Sequence, residues 1–301
     1  MEREWIAIDW GTSNFRAWLL AGNDVLDKRS ASAGLLHVEP GRFDATLKTL
    51  LSEWVAESTP MIVMAGMVGS QQGWHEVDYC PLPAGADSLL ARRKTFTTSW
   101  GSDAWIVPGL CKSASGDMPD VMRGEEIQLL GLSLLEEIDN FQAILPGTHS
   151  KHVRMQQRQI VDFSTYMTGE LYQVLISHSI LGRGLPDAAP DDKAFLLGVD
   201  VSRRHAALSQ LLFSARTLRL SGDIPAESVG DYLSGLLIGL EFTPDNTGPV
   251  WLVGSAALTR RYQLAANVFG IQTCCIDGDR CFIAGMQSLQ QRLTEKQNGQ
   301  F

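Results

Sequence analysis

The sequence lacks the short motifs that identify several large enzyme classes. It contains no G-x-x-x-x-G-K-[ST], G-x-G-x-x-G or G-x-S-x-G pattern, so nothing indicates a P-loop, a Rossmann domain or an α/β-hydrolase. It also has no H-E-x-x-H and no C-x-x-C pair, and its five cysteines are odd in number. Neither a zinc site nor a disulfide framework is therefore predicted.

Long apolar runs and an excess of positive charge are also missing. No run approaches the roughly 20 apolar residues that span a bilayer, and charged residues occupy the region where a signal peptide needs an apolar core. With 25 basic against 34 acidic residues, the formal net charge is −9, which argues against nucleic acid or an anionic membrane as the main partner. We expect a cytoplasmic protein whose partners are small molecules.

What the sequence does contain is the size and composition of a globular protein with two domains. Its 301 residues are 45% hydrophobic and 20% charged, and single cores stop growing near this length. Gly, Ser, Pro and Asp follow one another closely across residues 109–124, where we expect the chain to leave its first domain. The predicted domains are residues 1–116 and 117–301, with the last helix, 282–293, able to pack back on the first.

Hydrophobic periodicity predicts an α/β chain. After the opening segment, the expected strands are 61–65, 105–108, 141–145, 152–155, 160–163, 250–253 and 271–276. The expected helices are 45–57, 125–137, 168–181, 193–214, 229–242, 256–269 and 282–293.

The opening segment, WIAIDWGTSNFRAWLL at residues 5–20, has the pattern of a β-hairpin. Asp9 ends the first apolar run, so its carboxylate should stand beside the turn and suit Mg²⁺ bound to a polyphosphate. The turn itself offers a flexible glycine and three side chains that can bond phosphate oxygens, namely Gly11, Thr12, Ser13 and Asn14. The alternative is an ordinary hairpin, since these residue types populate turns without any ligand.

The residues DWGTSNFR resemble the first phosphate-binding loop of the superfamily that contains actin, hexokinase, the heat-shock chaperone ATPases and many sugar kinases. The turn 147–151 between two predicted strands looks like the second phosphate loop, with Gly147, Thr148 and His149 as candidate ligands. WLVGSAAL at 251–258 resembles the adenosine loop, with Gly254 and Ser255 at the helix start. Lys151 and Arg16 are candidate charge partners, and Arg16 is equally suited to an ordinary salt bridge.

The segment 66–85 is too rich in Gly and Pro for a regular element and too rich in aromatic and polar residues for a spacer. Long loops of this kind are usually functional, so we expect it to bind substrate through an aromatic platform, Trp74. Its hydrogen-bonding candidates are Ser70, Gln71, Glu76 and Tyr79. The alternatives are a structural loop and a Trp74 packed in the core.

Longer sequence segments indicate one family within this superfamily. AGMVGSQQGW, MRGEEIQLLG, LPGTHSKHV, FSTYMTGELY and HSILGRG are similar to those of the 2-dehydro-3-deoxygalactonokinases, bacterial enzymes that phosphorylate a six-carbon keto-deoxy sugar acid with ATP. The resemblance covers nearly the whole chain, although His152 stands where an aromatic residue is usual. It implies a two-domain actin/hexokinase-like (ribonuclease H-like) fold with an inter-domain nucleotide cleft. It also implies ATP and Mg²⁺ as cofactors, and the terminal hydroxyl of 2-dehydro-3-deoxy-D-galactonate as acceptor in galactonate catabolism.

Phosphoryl transfer needs positioning, charge neutralisation and a base near the attacking hydroxyl. Within the resemblance, Asp9 would hold Mg²⁺, and Glu125 at a predicted helix start would be the base. Glu125 is equally typical of a simple helix start, and Asp117 and Asp120 are the other candidates. Arg123 is the candidate partner for the substrate carboxylate.

Two rival functions remain compatible with this pattern. One is an ATPase or phosphatase of the same fold that transfers phosphate to water, and the other is a non-catalytic sugar sensor. The chain shows no basic helix-turn-helix that a DNA-binding sensor would add. A homodimer is compatible with the sequence, which does not fix the oligomeric state.

Overall fold

The computed structural model describes residues 3–113, 118–242 and 249–297. Its contacts divide the chain into two compact units. The first consists of Met1–Asn140, Arg154–Phe163 and Gly278–Phe301, and the second of Phe141–Val153 and Ser164–Asp277.

Both units contain strands and helices. The strands are β1 (Glu4–Trp10), β2 (Phe15–Ala21), β3 (Asp24–Ala31), β4 (Met61–Ala65), β5 (Cys80–Pro81), β6 (Lys94–Thr97), β7 (Asp103–Ile106), β8 (Leu110–Lys112), β9 (Asp120–Met122), β10 (Phe141–Leu145), β11 (Ser150–Gln156), β12 (Gln159–Tyr166), β13 (Val250–Gly254) and β14 (Thr273–Asp277). The helices are α1 (Phe43–Leu50), α2 (Ala86–Ala91), α3 (Glu125–Leu135), α4 (Thr168–His178), α5 (Asp192–Ser202), α6 (Leu208–Ser221), α7 (Val229–Gly239), α8 (Ala256–Val268) and α9 (Gly278–Gln297).

The main sheet of the first unit has the order β3-β2-β1-β4-β7-β6. The β1–β2 and β2–β3 pairs are antiparallel, whereas β1, β4 and β7 run parallel. Ile6, Ile8, Ile62 and Met64 on the two central strands are completely buried, as expected for strands covered on both faces. The parallel pairing brings the carboxyl ends of β1 and β4 to the same edge of the sheet.

The sheet of the second unit repeats this order as β12-β11-β10-β13-β14, with β10, β13 and β14 parallel. The outer part of the β11–β12 hairpin belongs by its contacts to the first unit. Because β10 and β13 are parallel neighbours, the turns that follow them share one edge. The prediction of a two-domain α/β fold of the actin/hexokinase-like class is confirmed.

Close packing of α3 against α9 explains how the units divide. A Cβ on Gly131 would lie 1.8 Å from the carbonyl oxygen of Cys281, and one on Gly285 would lie 2.1 Å from that of Ile127. Glycine at both crossing points lets the two backbones touch. The first unit therefore includes α3 and α9. The sequence-based domains put α3 in the second domain and allowed the last helix to pack back on the first.

Two predicted elements differ from the structure. The expected helix 193–214 is two helices, α5 and α6, because the helical conformation is interrupted at residues 203–207. The first of them begins at Asp191, whose side chain caps the helix by accepting from two backbone N–H groups. The expected helix 45–57 is also shorter, ending at Leu50. Among the described residues, no helix is both long and apolar enough to cross a bilayer.

Candidate active site

The loop of the first hairpin has its carbonyl groups engaged and its polar side chains exposed. All four carbonyls of residues 11–14 accept backbone hydrogen bonds, one from Gly11 N–H to Asn14 O at 2.9 Å and three from residues 34–36. The exposed side chains of this loop are Thr12, Ser13 and Asn14. Because free carbonyl oxygens would repel phosphate, this arrangement suits an anion.

Asp9, the residue before the last of β1, lies directly opposite Arg16 on β2. Arg16 donates through Nη2 to Asp9 and through Nη1 to Asp279 in the first turn of α9. Burial raises the pKa of Asp9, and this outweighs the neighbouring Arg16, which lowers it. A positive charge beside Asp9 therefore stabilises its ionised form.

Glycines leave one face of the Asp9 carboxylate open. Gly66 follows β4 with φ +95°, and a Cβ there would lie 2.8 Å from Trp10 O and 3.2 Å from Asp9 Oδ1. Gly124 has φ +113°, and its Cβ would lie 3.5 Å from the Gly66 Cα. The start of α3 is therefore adjacent to the turn beside Asp9.

The two glutamates that begin α3 occupy different environments. Glu125 is partly exposed, and its Oε2 accepts from Arg123 N–H at 3.2 Å. Glu126 is completely buried, and its two oxygens accept from Gly124 N–H at 2.9 and 2.7 Å. Burial, followed by the nearby Glu125, raises the pKa of Glu126 from 4.5 to about 8. At neutral pH Glu126 is therefore mostly protonated and holds the turn, while Glu125 is accessible.

The other carboxylates considered as a general base are less well supported than Glu125. Asp120 lies in β9, and Asp117 lies outside the described residues. Within the part of the chain that the structure describes, no group of three or more His, Cys, Asp or Glu side chains could hold a metal ion. A single carboxylate is still sufficient for Mg²⁺, which keeps several waters and takes oxygens from substrate phosphates.

The structure places Trp74 in an aromatic cluster of the first unit. Its ring stacks with Phe43 at 6.5 Å and with His75 at 5.5 Å, and meets Phe96 edge-on at 4.8 Å. The ring is only partly buried and packs against the hydrophobic core. These contacts favour the alternative of a packed indole over a free sugar platform.

Arg123 is a buried cation with unused donors. It is 9% exposed, its Nη2 donates to Val77 O at 2.7 Å, and its guanidinium lies 4.4 Å from the Tyr79 ring centre. Its Nε and Nη1 atoms are buried without a hydrogen-bond partner among the described residues. A Cβ on Gly69 would lie 2.8 Å from Nη1. Buried donors left unpaired are costly, so these two donors are candidates for contact with a ligand.

The other predicted substrate residues fall into two groups. The Ser70 hydroxyl, next to Gly69, is also buried without a hydrogen-bond partner among the described residues. Gln71 and Glu76 are exposed. The structure thus brings Ser70, Tyr79 and Arg123 close together along the chain segments around Gly69.

In the second unit, parallel pairing of β10 with β13 places two predicted loops side by side. A Cβ on Gly254 would lie 3.8 Å from Pro146 Cδ, so the Gly254-Ser255 turn contacts the residue before Gly147. Ser255 precedes α8 with extended backbone and makes no side-chain capping bond. Its exposed hydroxyl is thus available at a helix N-terminus, which favours negative charge.

The start of α4 fixes the loop at 147–149. Glu170 N–H donates to Thr148 O at 3.0 Å, and a Cβ on Gly169 would lie 2.5 Å from Gly147 O. His149 Nε2 lies 2.5 Å from the Glu170 carboxylate. Thr148 and His149 are both exposed. The backbone of the loop is therefore fixed by α4, while these two side chains are accessible.

A buried carboxylate supports the strand that follows this loop. Glu241 is 1% exposed and lies 2.8 Å from Ser150 Oγ, 2.8 Å from His152 Nε2 and 2.6 Å from Tyr262 Oη. Burial and Glu241 raise the pKa of Tyr262. His152 also packs on Tyr166 with ring centres 4.7 Å apart, so it fills an aromatic position while bonding Glu241. Lys151, expected as a charge partner, is buried.

Sequence reasoning missed the residues that support the site. Their signals were present: the glycines before Met67 and Glu125, and the T-G-E run that begins α4, all lie in runs that carried the family resemblance. The buried acceptor Glu241 and the helix-start Asp279 had no local signal. The supporting residues are Gly66, Gly124, Gly169, Glu170, Glu241 and Asp279.

Comparisons with known proteins show the family of this chain. The family model described as 2-keto-3-deoxy-galactonokinase matches residues 9–289. The chain is 39% identical to "2-dehydro-3-deoxygalactonokinase" of Escherichia coli (strain K12), covering 96% of this chain and 98% of that protein. It is 36% identical to "Probable 2-dehydro-3-deoxygalactonokinase DgoK1" of Rhizobium meliloti (strain 1021), covering 94% and 95%.

A solved structure gives the same result. The crystal structure of a "putative 2-dehydro-3-deoxygalactonokinase protein" from Sinorhizobium meliloti superposes with a TM-score of 0.88 and 33% identity, covering 96% of this chain and 99% of that one. The span of the family model, residues 9–289, includes every segment that carries a candidate site residue. The chain therefore belongs to the 2-keto-3-deoxy-galactonokinase family.

Proposed function

We propose that this protein transfers the terminal phosphoryl group of ATP to the terminal hydroxyl of 2-dehydro-3-deoxy-D-galactonate, in galactonate catabolism. The observation that carries the proposal is the family match over residues 9–289, joined to relatives of that name at 36–39% identity. The cytoplasmic location and a homodimer stay predictions.

Mg²⁺ would be held at Asp9. The fit rests on the donor set: a carboxylate at the end of β1, a glycine at 66 whose missing Cβ leaves Asp9 Oδ1 open, and an adjacent loop of exposed hydroxyls. When bound, such an ion neutralises charge on the phosphates. Asp9 itself would orient the ion through one oxygen and leave its remaining positions to water and phosphate.

Each unit carries candidate residues for binding the nucleotide. In the first unit, the exposed side chains of residues 12–14 would contact the outer phosphates. In the second, Gly147, Thr148 and His149 would contact the triphosphate, and the Gly254-Ser255 turn would accommodate the adenosine. Two observations support these assignments. The carbonyl groups of residues 11–14 already accept hydrogen bonds, and the other two loops lie next to the first turns of α4 and α8.

Glu125 would accept the proton of the attacking hydroxyl. It is partly exposed at the start of α3, which lies against the Gly66 turn beside Asp9. The helix N-terminus favours a negative charge at this position, and a positioned carboxylate is a suitable general base. The adjacent Glu126 is buried and mostly protonated, so it is a poor competitor for this role.

Arg123 would bind the substrate carboxylate. Its unused Nε and Nη1 donors match the fork geometry with which guanidinium binds carboxylates. Ser70 would add a hydroxyl contact, and Tyr79 supports the guanidinium from one face. Gln71 and Glu76 remain candidates for the sugar hydroxyls from their exposed positions, and Trp74 would then act through packing.

The test is a coupled ADP-release screen over keto-deoxy acids, aldonic acids and neutral hexoses. We expect 2-dehydro-3-deoxygalactonate to give the highest kcat/KM. Arg123→Lys keeps the positive charge but loses the paired N–H donors of the guanidinium. In this variant, the ratio of kcat/KM for the acid to kcat/KM for its neutral analogue should fall by about tenfold or more. Preferred turnover of neutral hexoses, or ADP release that needs no sugar, would reject the proposal in favour of another kinase or an ATPase.

A further inference from the structure

A row of alternating charges crosses the first unit beside Asp9. Arg16 contacts Asp9 with one terminal nitrogen and Asp279 with the other. The second oxygen of Asp279 accepts from Lys28 Nζ at 2.6 Å. Lys28 also lies 5.5 Å from the centre of the Trp18 ring. One guanidinium is therefore shared by two carboxylates that come from opposite ends of the sequence.

Asp279 is held in place by contacts that do not involve Arg16. It lies in the first turn of α9, where the helix dipole favours a negative charge. One turn later, Phe282 packs on Trp18 with ring centres 5.3 Å apart. Just before it, Gly278 O accepts from Gln128 Nε2 at 3.3 Å. The Asp279 carboxylate thus stays beside β2 whether or not Arg16 remains on Asp9.

A divalent cation at Asp9 would compete with the guanidinium for the same carboxylate. Two positive groups on one Asp repel each other, and a partly buried guanidinium that lost its only carboxylate would be left uncompensated. Because Arg16 already contacts Asp279, it can release Asp9 and keep an ion pair. This argument rests on the proposed function, which supplies the cation.

We infer that Asp279 is a positioning residue for the cation site: it takes up Arg16 when a divalent cation binds Asp9. Asp279 need not touch the cation. Its effect operates through Arg16, so the two residues should be coupled in metal affinity. Removing the Asp279 charge takes away a carboxylate that Arg16 contacts, so the cation must displace the guanidinium from Asp9 with less compensation.

The experiment measures Mn²⁺ binding to the ADP complex by electron paramagnetic resonance of free Mn²⁺, without sugar acid. Asp279→Asn keeps the side-chain shape and should weaken Mn²⁺ binding by roughly tenfold or more, the usual effect of losing an outer-shell partner. Arg16→Gln should bind Mn²⁺ at least as tightly as wild type. Lys28→Gln is the matched control, since it also contacts Asp279 but not Asp9, and should change affinity less than twofold.

The double variant Arg16→Gln/Asp279→Asn decides between explanations. If Asp279 acts through Arg16, affinity in the double variant returns to at least the wild-type value. Affinity as weak as in Asp279→Asn would mean that Asp279 contacts the cation directly, and unchanged affinity in Asp279→Asn would mean that it has no role; either result overturns the inference. Wild-type protein that binds Mn²⁺ normally but transfers no phosphate would reject the proposed function and leave this inference standing.

Discussion

The two candidate phosphate loops are both held by backbone contacts but differ in the charged groups beside them. In the first unit, the loop at 11–14 is flanked by charges, since Asp9 and Arg16 are paired and Asp279 lies beyond them. In the second unit, the loop at 147–149 is fixed by backbone packing against the start of α4. We therefore expect activity to fall when a side chain near the first loop changes charge but not shape. Near the second loop, we expect activity to fall when a residue changes shape but not charge.

The largest expected effect tests charge in the first unit. Asp9→Asn keeps the side-chain shape but cannot offset the charge of a metal, and several kcal/mol of lost stabilisation corresponds to a fall in kcat/KM of roughly 10³-fold. The measurement is steady-state phosphorylation with Mg²⁺-ATP, with the unfolding midpoint as the control for folding. Near-normal turnover in a folded variant would contradict the assignment of Asp9 as the residue that holds Mg²⁺.

The next effect separates the two glutamates of α3. Glu125→Gln should lower kcat by roughly 10²-fold, the typical contribution of a positioned base, with little change in nucleotide affinity. Glu126→Gln is the matched control, since it makes the same chemical change one residue away at a buried site, and it should cost less than about tenfold. If the control loses more kcat than Glu125→Gln, the roles assigned to the two residues are reversed.

A change of shape should affect the second loop. In Gly169→Ala the new Cβ would lie 2.5 Å from Gly147 O, so the loop must move, and we expect KM for ATP to rise by roughly tenfold. Glu170→Gln changes charge at nearly constant shape in the same helical turn and should raise KM by less than about threefold. Kinetics in which the charge change exceeds the shape change would contradict the contrast between the loops.

The smallest expected effect is on stability and concerns Glu126. Its pKa is raised from 4.5 to about 8 in the folded protein, so the folded state keeps a proton that the unfolded state loses. The contribution is fully present below pH 4.5 and disappears as pH rises through about 8. Glu126→Gln removes this titration.

Thermal unfolding measured at several pH values checks this expectation. Between the lower and upper ends of that range, the midpoint of wild type should fall more than that of Glu126→Gln, by on the order of 5 °C. Parallel pH profiles for the two proteins would show that Glu126 does not titrate in this range.

Local patterns in the sequence were enough for much of the site. The hairpin at 5–20, the turn at 147–151 and the Gly254-Ser255 turn were each predicted because turn residues between apolar runs reflect backbone conformation, which depends on near neighbours. The strand bounds 61–65 and 141–145 match β4 and β10. By contrast, the break between α5 and α6 was missed, since no Gly or Pro marks it in the sequence.

The sequence by itself determined the fold class, the family, and the chain positions of the loops, because these depend on residue order and local propensity. Only the tertiary structure decided that Glu126 is buried while Glu125 is accessible, that Arg123 keeps unused donors, and that Trp74 packs among aromatic rings. It also decided that Arg16 is shared with Asp279. The physical reason is that burial and charge pairing depend on residues far apart in the chain, and no local pattern records which of them meet.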